Sequence, residues 1–324
     1  MKRPVVGALL AAMLLAGAAL CALIYAKSGL YGFNVIRLRG MSLWSDEPFD
    51  GPRLSPSMRL ALRDTPPVAR AGSFAWRSVA EGFEVAELPV LVDEAAVADS
   101  ILLARVDPRR YRFEARNAPL GNWLLDDWMA QPGTILVING SYYARDGLPD
   151  TPFLSNGTPL GPRRYDATHG AFVASDAHTG IRDLARETWE TAFAGAHDGM
   201  VSYPLLLAAD GSTRVAADQR WLSNRSFVAE DAEGRIILGT TTDAFFTLTR
   251  LAAFLKEAPL GLTLALNLDG GPVACQGIVL GDYVRRFCGR WEFAVQNGTP
   301  RLLRFAFGSY GRWALPVVLV VRRR

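Results

Sequence analysis

Hydrophobic and polar positions divide the chain into three regimes. Residues 4–26 carry no charge and follow Met1-Lys2-Arg3, which meets the roughly 20 apolar residues that a bilayer-spanning helix needs. Cleavable signal peptides have a shorter apolar core of about 7–15 residues. Ala16-Gly17-Ala18 nevertheless fits a cleavage pattern, so residues 1–27 read as a signal anchor or a signal peptide. A three-residue leader is easily kept inside, which places the body of the chain outside the cytoplasm, in a periplasmic or extracellular space. Residues 28–72 hold Pro48, Pro52, Pro56, Pro66 and Pro67 with scattered Gly and Ser, the pattern of a juxtamembrane linker. From residue 73 to 324, apolar runs and turn signals alternate without a second linker or repeat.

Within that last regime the runs predict an α+β domain, a mixed β-sheet core with flanking helices behind one N-terminal transmembrane helix. Ser100 to Val106 reads as a strand stopped by Asp107-Pro108. Asn122 is placed to cap a helix whose Leu124, Leu125, Trp128 and Met129 share a face. Further on, the strand Arg235–Thr240 leads to a Thr247-capped helix with Leu248, Leu251, Ala252 and Leu255 on one side. The strand Leu262–Leu268 follows, and Pro316 to Val321 is the last strand. A strand–helix–strand crossover of this length makes its two strands parallel. Asp243 and Asp269 then lie on the same sheet edge, about 4.8 Å apart if the strands are neighbours.

Two apolar runs end in a small polar residue and glycine: Ile135 to Ile138 before Asn139-Gly140, and Leu264 to Leu268 before Asp269-Gly270-Gly271. Glycine there lets the chain turn sharply and a ligand approach the backbone. Each corner alone is equally a plain tight turn.

Four motifs in order give these corners context. They are Asn139-Gly140-Ser141-Tyr142-Tyr143, Tyr203-Pro204-Leu205 with Asp210-Gly211, Arg225-Ser226, and Asn267-Leu268-Asp269-Gly270-Gly271. This set resembles the phosphodiester glycosidase family, whose members include an enzyme that removes a covering N-acetylglucosamine from mannose 6-phosphate, with bacterial relatives linked to exopolysaccharide. The resemblance implies cleavage of a glycosidic bond next to a phosphodiester in an envelope or exported glycan. Where the family has Asn-Gly-Gly-Phe-Phe, this chain has Ser141, Tyr142 and Tyr143. Where it has a third Gly and then Ser, this chain has Pro272, Val273, Ala274 and Cys275.

Under that reading Asp269 and Asp243 supply the two carboxylates that glycosidases use, Arg225 clamps the phosphate, and His169 offers a proton near neutral pH. Asn139 and Asn267 bind hydroxyls, Ser226 is a further substrate-binding residue, and Gly140, Gly270 and Gly271 give access. Tyr142 and Tyr143 stack on a sugar ring. A catalytically inactive glycan-binding or assembly protein of the same fold is the alternative, resting on the altered Pro272–Cys275 stretch. A metal-dependent phosphodiesterase built on Asp243 and Asp269 is a third reading, with few further ligands to support a divalent cation.

Composition narrows this little further. The net charge of +3 and the lack of any basic run argue against a nucleic-acid partner, so the partners are a glycan or sugar phosphodiester and, through the N-terminal helix, a membrane. His169, His178 and His197 have no zinc-like spacing, and no cofactor is called for. Cys275 and Cys288 are either a disulfide in an oxidising compartment or two separate thiols.

Overall fold

Runs such as Ser100–Val106 are apolar at consecutive positions because the strands they form are buried on both faces. The computed structural model describes the chain apart from residues 1–2, 40–41, 94, 119, 167–168, 217–219 and 306–312. It begins with helix α1 (Arg3–Arg39), β1 (Ser42–Asp46), helix α2 (Pro56–Ala61), β2 (Arg70–Ala71) and β3 (Arg77–Ala80). The long hairpin β4 (Phe83–Val92) and β5 (Ala96–Val106) leads to β6 (Tyr111–Asn117), α3 (Leu125–Met129) and β7 (Thr134–Asn139). Short strands follow: β8 (Phe153–Ser155), β9 (Thr158–Leu160), β10 (Gly170–Ala174) and β11 (Thr179–Asp183), then α4 (Trp189–Phe193), β12 (Asp198–Ser202) and β13 (Leu205–Leu207). The next section comprises β14 (Leu222–Ser223), β15 (Ser226–Asp231), β16 (Ile236–Thr241), α5 (Leu248–Glu257) and β17 (Leu262–Asn267). It closes with β18 (Cys275–Leu280), β19 (Tyr283–Cys288), β20 (Glu292–Gln296), β21 (Thr299–Phe305) and β22 (Val317–Arg323). This is the mixed α+β architecture expected, behind an apolar helical span at Val6–Lys27.

An eight-stranded sheet ordered β13-β17-β15-β16-β5-β4-β2, with β3 on β4, forms the central layer. One face carries Leu88, Leu103, Phe227 and Ile237 and packs under α5 and α2. The other carries Ala104, Val228, Leu238 and Leu266 and meets Leu136, Ile138, Phe172 and Leu319. Those partners belong to two five-stranded sheets, β19-β18-β7-β22-β6 and β11-β10-β12-β8-β9. A four-stranded sheet, β1-β21-β20-β14, completes the fold.

Several expectations need correction. The stretch assigned to a linker contributes β1, paired along its length with β21, and α2, where Met58 is fully buried. Its prolines start the helix rather than prevent one, since Pro56 occupies the first turn behind the Ser55 cap. The cap of α3 is not Asn122: the helix starts after Leu124, whose N–H donates to the Asp127 carboxylate at 2.8 Å. β16 and β17 are parallel, as the crossover requires, but each pairs antiparallel with β15, which lies between them. Their ends are therefore about 9.6 Å apart rather than 4.8 Å.

Gly239 in β16 faces Phe227 of β15, whose fully buried ring fills the space a side chain would need; a Cβ there would come within 2.1 Å of the ring. Gly239→Ala should lower unfolding free energy by about 1–3 kcal/mol, the usual cost of overfilling a packed core. A urea titration with unchanged slope checks this, and a variant as stable as the parent would refute the packing argument.

Candidate active site

The two strand-ending corners come from different sheets and meet. Gly140 accepts a bond from the Asp269 N–H at 3.0 Å, and Asn139 Nδ2 donates to the Asp269 carbonyl at 2.6 Å. Asn139 Oδ1 accepts from Cys275 N–H at 3.2 Å. Gly140 is pressed against β22, where a Cβ would lie 2.6 Å from Val317 Cγ1. Asn139 is only 2% exposed, so it braces the corner from behind instead of reaching a sugar hydroxyl.

In front of the junction lies a cavity of about 560 Å³. Its polar side is formed by Tyr142, His169, Arg225, Asp269, Gly270 and Glu292; Pro204, Val215, Ala216, Leu248 and Trp221 form a largely apolar side. Of the residues singled out in the sequence, Tyr142, His169, Arg225, Asp269 and Gly270 converge here, whereas Tyr143 packs into the core behind it. Ser226 is fully buried in the sheet, its hydroxyl 3.3 Å from that of Thr240. Asn267, also fully buried, donates to Tyr142 Oη at 2.8 Å and to the Tyr203 carbonyl at 3.0 Å, and so holds the Tyr142 ring that lines the cavity.

Tyr142 stacks on Tyr203 with ring centres 4.4 Å apart. Burial, aided by the nearby Asp269 charge, raises its phenol above the ordinary range, which keeps it a neutral hydrogen-bonding group. Burial also lowers the His169 pKa, with help from Arg214, so its ring is neutral at physiological pH. His169 Nδ1 is buried with no hydrogen-bond partner among the described residues. Its neighbour Thr168 lies outside the described residues. Arg225 is 6% exposed; its Nε donates to the Phe246 carbonyl at 3.3 Å and Nη2 to that of Trp221 at 2.5 Å. These bonds fix the guanidinium plane beside Gly270, where a Cβ would sit 3.7 Å from Nη1.

Asp243 does not join them. Its Oδ1 accepts from Ser55 Oγ at 2.7 Å and its Oδ2 from Ser57 Oγ at 2.9 Å. Its own N–H donates to Asp99 at 2.8 Å. Burial, reinforced by the Asp243 charge, pushes the Asp99 carboxyl up to about 7. The inserted β15 is what moves Asp243 away, and the pair fastens α2 to the turn after β16.

A second carboxyl reaches the cavity from outside the four sequence motifs. Glu292, at the start of β20, accepts from Trp221 Nε1 at 3.1 Å. Its Oε2 lies so close to the Gly271 backbone that a Cβ there would come within 2.5 Å. Burial drives its pKa up to about 7, although Arg225 and the Trp221 bond pull it down. The signal available in the sequence was Cys288, four residues earlier. Its disulfide with Cys275 resolves the thiol question and folds the hairpin back onto the corner.

Asn224 ties these parts together. It is fully buried and donates from Nδ2 to the carbonyls of Thr241 at 3.0 Å and Asp243 at 3.2 Å. Its Oδ1 accepts from the N–H groups of Arg290 and Trp291, both at 2.9 Å, and its carbonyl accepts from Gly271 at 2.8 Å.

The family model for phosphodiester glycosidases matches residues 132–298. In structure the chain is similar to the zebrafish N-acetylglucosamine-1-phosphodiester alpha-N-acetylglucosaminidase catalytic domain auto-inhibited by its pro-peptide. The TM-score is 0.53 at 17% identity, over 87% of this chain and 88% of that one. A hypothetical protein from Synechocystis is similar at a TM-score of 0.50 and 15% identity, over 78% of this chain and 64% of that one. No curated protein matches the chain by sequence.

Removing the Asn224 amide takes a hydrogen bond from four backbone groups at once; the Asp243 carbonyl keeps the Thr241 hydroxyl, and each group left unsatisfied costs about 1–3 kcal/mol. Asn224→Ala should therefore destabilise by at least ~2 kcal/mol in a denaturant titration. A change under ~0.5 kcal/mol, the range of ordinary surface substitutions, would show that the amide is not the fastening point.

Proposed function

We propose, for a chain that belongs to the phosphodiester glycosidase family, that it hydrolyses the bond between a sugar's anomeric carbon and a phosphodiester, outside the cytoplasm and anchored by its N-terminal helix. The observation that carries this reading is the convergence of Asp269, Glu292 and Arg225 on one cavity. The helix is long and apolar enough to cross a membrane, and the disulfide suits an oxidising compartment. An envelope or exported glycan is the substrate class that fits this placement.

The chemistry follows from charge. Breaking the anomeric carbon–oxygen bond develops positive charge on the sugar ring, which a carboxylate beside it stabilises. Asp269 takes that role. The departing phosphate is anionic, and Arg225, its plane preset by two carbonyls, meets it with paired N–H donors. A second ionised carboxylate beside that phosphate would repel it. Glu292, with its pKa near 7, is largely protonated below neutrality and donates a hydrogen bond to the leaving oxygen instead. The ring stacked on Tyr203 gives the sugar a flat surface, and neutral His169 accepts or donates through its uncharged ring.

The non-catalytic reading drew on Pro272–Cys275. Among the described residues lining the cavity none comes from this stretch, and Val273 and Cys275 pack into the core behind the corner. The departure thus leaves the walls of the site unaltered, which supports turnover.

Asp269→Asn should keep its fold by circular dichroism and lose hydrolysis of N-acetylglucosamine 1-(methyl phosphate) by a factor of about 10² or more, the size of a missing catalytic group. Undiminished rates would sink the assignment. For Glu292 the expected signature is a pH profile. Because its pKa is raised to about 7, the active protonated form is lost as pH climbs through that value, so the wild-type rate should fall on the alkaline side. Glu292→Gln should be slower at its maximum and lack that alkaline limb; a retained limb would assign the titration to another group.

A further inference from the structure

We infer that the sugar phosphodiester hydrolysed here is carried on a lipid in the same membrane that the N-terminal helix enters. This rests on the glycosidase reading above and adds the identity of the group on the far side of the phosphate.

The chain leaves the membrane segment through a sharp break. The apolar span ends at Lys27, and the helix is broken at Gly29, which has φ 54° and ψ −150°. Residues 30–39 resume as a helical stretch whose sequence mixes Leu30, Phe33, Val35, Ile36 and Leu38 with Arg37 and Arg39. That mixed apolar and basic composition suits the boundary between headgroups and acyl chains. Strand β1 then starts at Ser42 and enters the same four-stranded sheet as β20, which carries Glu292, and β14, which follows Trp221. Only β21 separates β1 from β20, a lateral distance of about 10 Å.

Side chains make the connection direct. Trp44 of β1 meets Trp221 edge to face, ring centres 6.2 Å apart, and Trp221 donates to Glu292. The cavity wall and the strand emerging from the membrane helix are thus one packed unit. From Lys27 to Trp44 the chain spans at most about 35 Å, taking 1.5 Å per helical and 3.4 Å per extended residue. A helix lying along the interface brings the cavity closer still.

The cavity has a wall for such a lipid. Beside the charged groups lie Pro204, Val215, Leu248 and the partly exposed ring of Trp221. This surface offers a hydroxyl-rich glycan few hydrogen-bonding groups, whereas an alkyl or isoprenyl chain leaving the phosphate buries its apolar area against it. The reaction needs only water. Its oxygen bonds to the anomeric carbon, and the carbon–oxygen bond to phosphate breaks with its electron pair passing to the phosphate. The leaving oxygen takes the Glu292 proton, and a proton from the water restores that carboxyl. The products are free sugar and a lipid phosphomonoester left in the membrane.

The test uses the full chain reconstituted in phosphatidylethanolamine–phosphatidylglycerol vesicles. It compares N-acetylglucosamine 1-phosphate esterified to methanol, in solution, with the same headgroup esterified to a long-chain isoprenol in the vesicle. Confinement of enzyme and substrate to one surface should favour the lipid ester at least ~10-fold in initial rate. A rigid helical spacer of ~30 residues inserted after Arg39 lifts the domain by about 45 Å; it should abolish that preference and leave the methyl ester rate unchanged. Equal rates on both esters, or a preference that survives the spacer, would overturn the lipid-borne substrate while leaving the glycosidase reading standing. Turnover of neither ester would bring down both.

Discussion

The site depends on a single buried asparagine. The side-chain amide of Asn224 holds the turn after β16 and the residues leading into β20, while its main-chain carbonyl holds the Asp269–Gly271 corner, so three segments that share no strand pairing with one another are fastened at one residue. A side-chain amide has two donor hydrogens and two acceptor lone pairs, and here all four are used on backbone groups. In a low-dielectric interior such a network is rigid because any displacement leaves a buried group unpaired. Glu292 and Asp269, separated by the whole β18–β19 hairpin, are therefore registered to each other through Asn224. The close packing extends to Gly289, where a Cβ would fall 2.6 Å from both Asn224 Cβ and the Gly271 carbonyl oxygen.

Much of the fold was legible because burial writes itself into sequence. Strands enclosed on both faces read as unbroken apolar runs, and the α5 helix announced itself by its apolar spacing and its Thr247 cap, whose side chain accepts from Arg250 N–H at 3.3 Å. The parallel relation of β16 and β17 also followed from the crossover between them. Their adjacency did not, because β15 precedes both in the chain and nothing local to the crossover reveals a strand inserted from upstream. That one insertion separated Asp243 from Asp269 and removed one of the two carboxylates expected at the site. The proline-rich stretch misled for a related reason: Pro56 opens a helix as readily as proline breaks one, and only the distant Asp243 carboxylate that Ser55 and Ser57 bind decides which.

The site residues divide along the same line. Asp269, Gly270, Tyr142 and Arg225 sit at strand ends or beside motif glycines, so local pattern exposes them. Glu292 begins an ordinary strand, and its chemistry is created by neighbours remote in sequence: Trp221, Arg225 and Gly271. Asn139 and Asn267 also stand at the strand-ending corners, but both amides face backbone or tyrosine partners instead of the cavity, so they brace the corner and the Tyr142 ring.

After Gly271 the chain departs from the family pattern without loss of the corner. Gly271 itself has φ +69° and no room for a Cβ beside the Glu292 carboxylate, so this position admits only glycine. Pro272 stands in the first turn of the short 3-10 helix Gly271–Val273, where its fixed φ suits the backbone and its missing N–H removes no needed bond. Val273 fills core on the side away from the cavity, and Cys275 replaces whatever a hydroxyl might hold there with a covalent tie to Cys288. The substitutions exchange one way of bracing the corner for another. What the proposed chemistry requires at this corner is the glycine that leaves room for the Glu292 carboxylate, and that residue is retained.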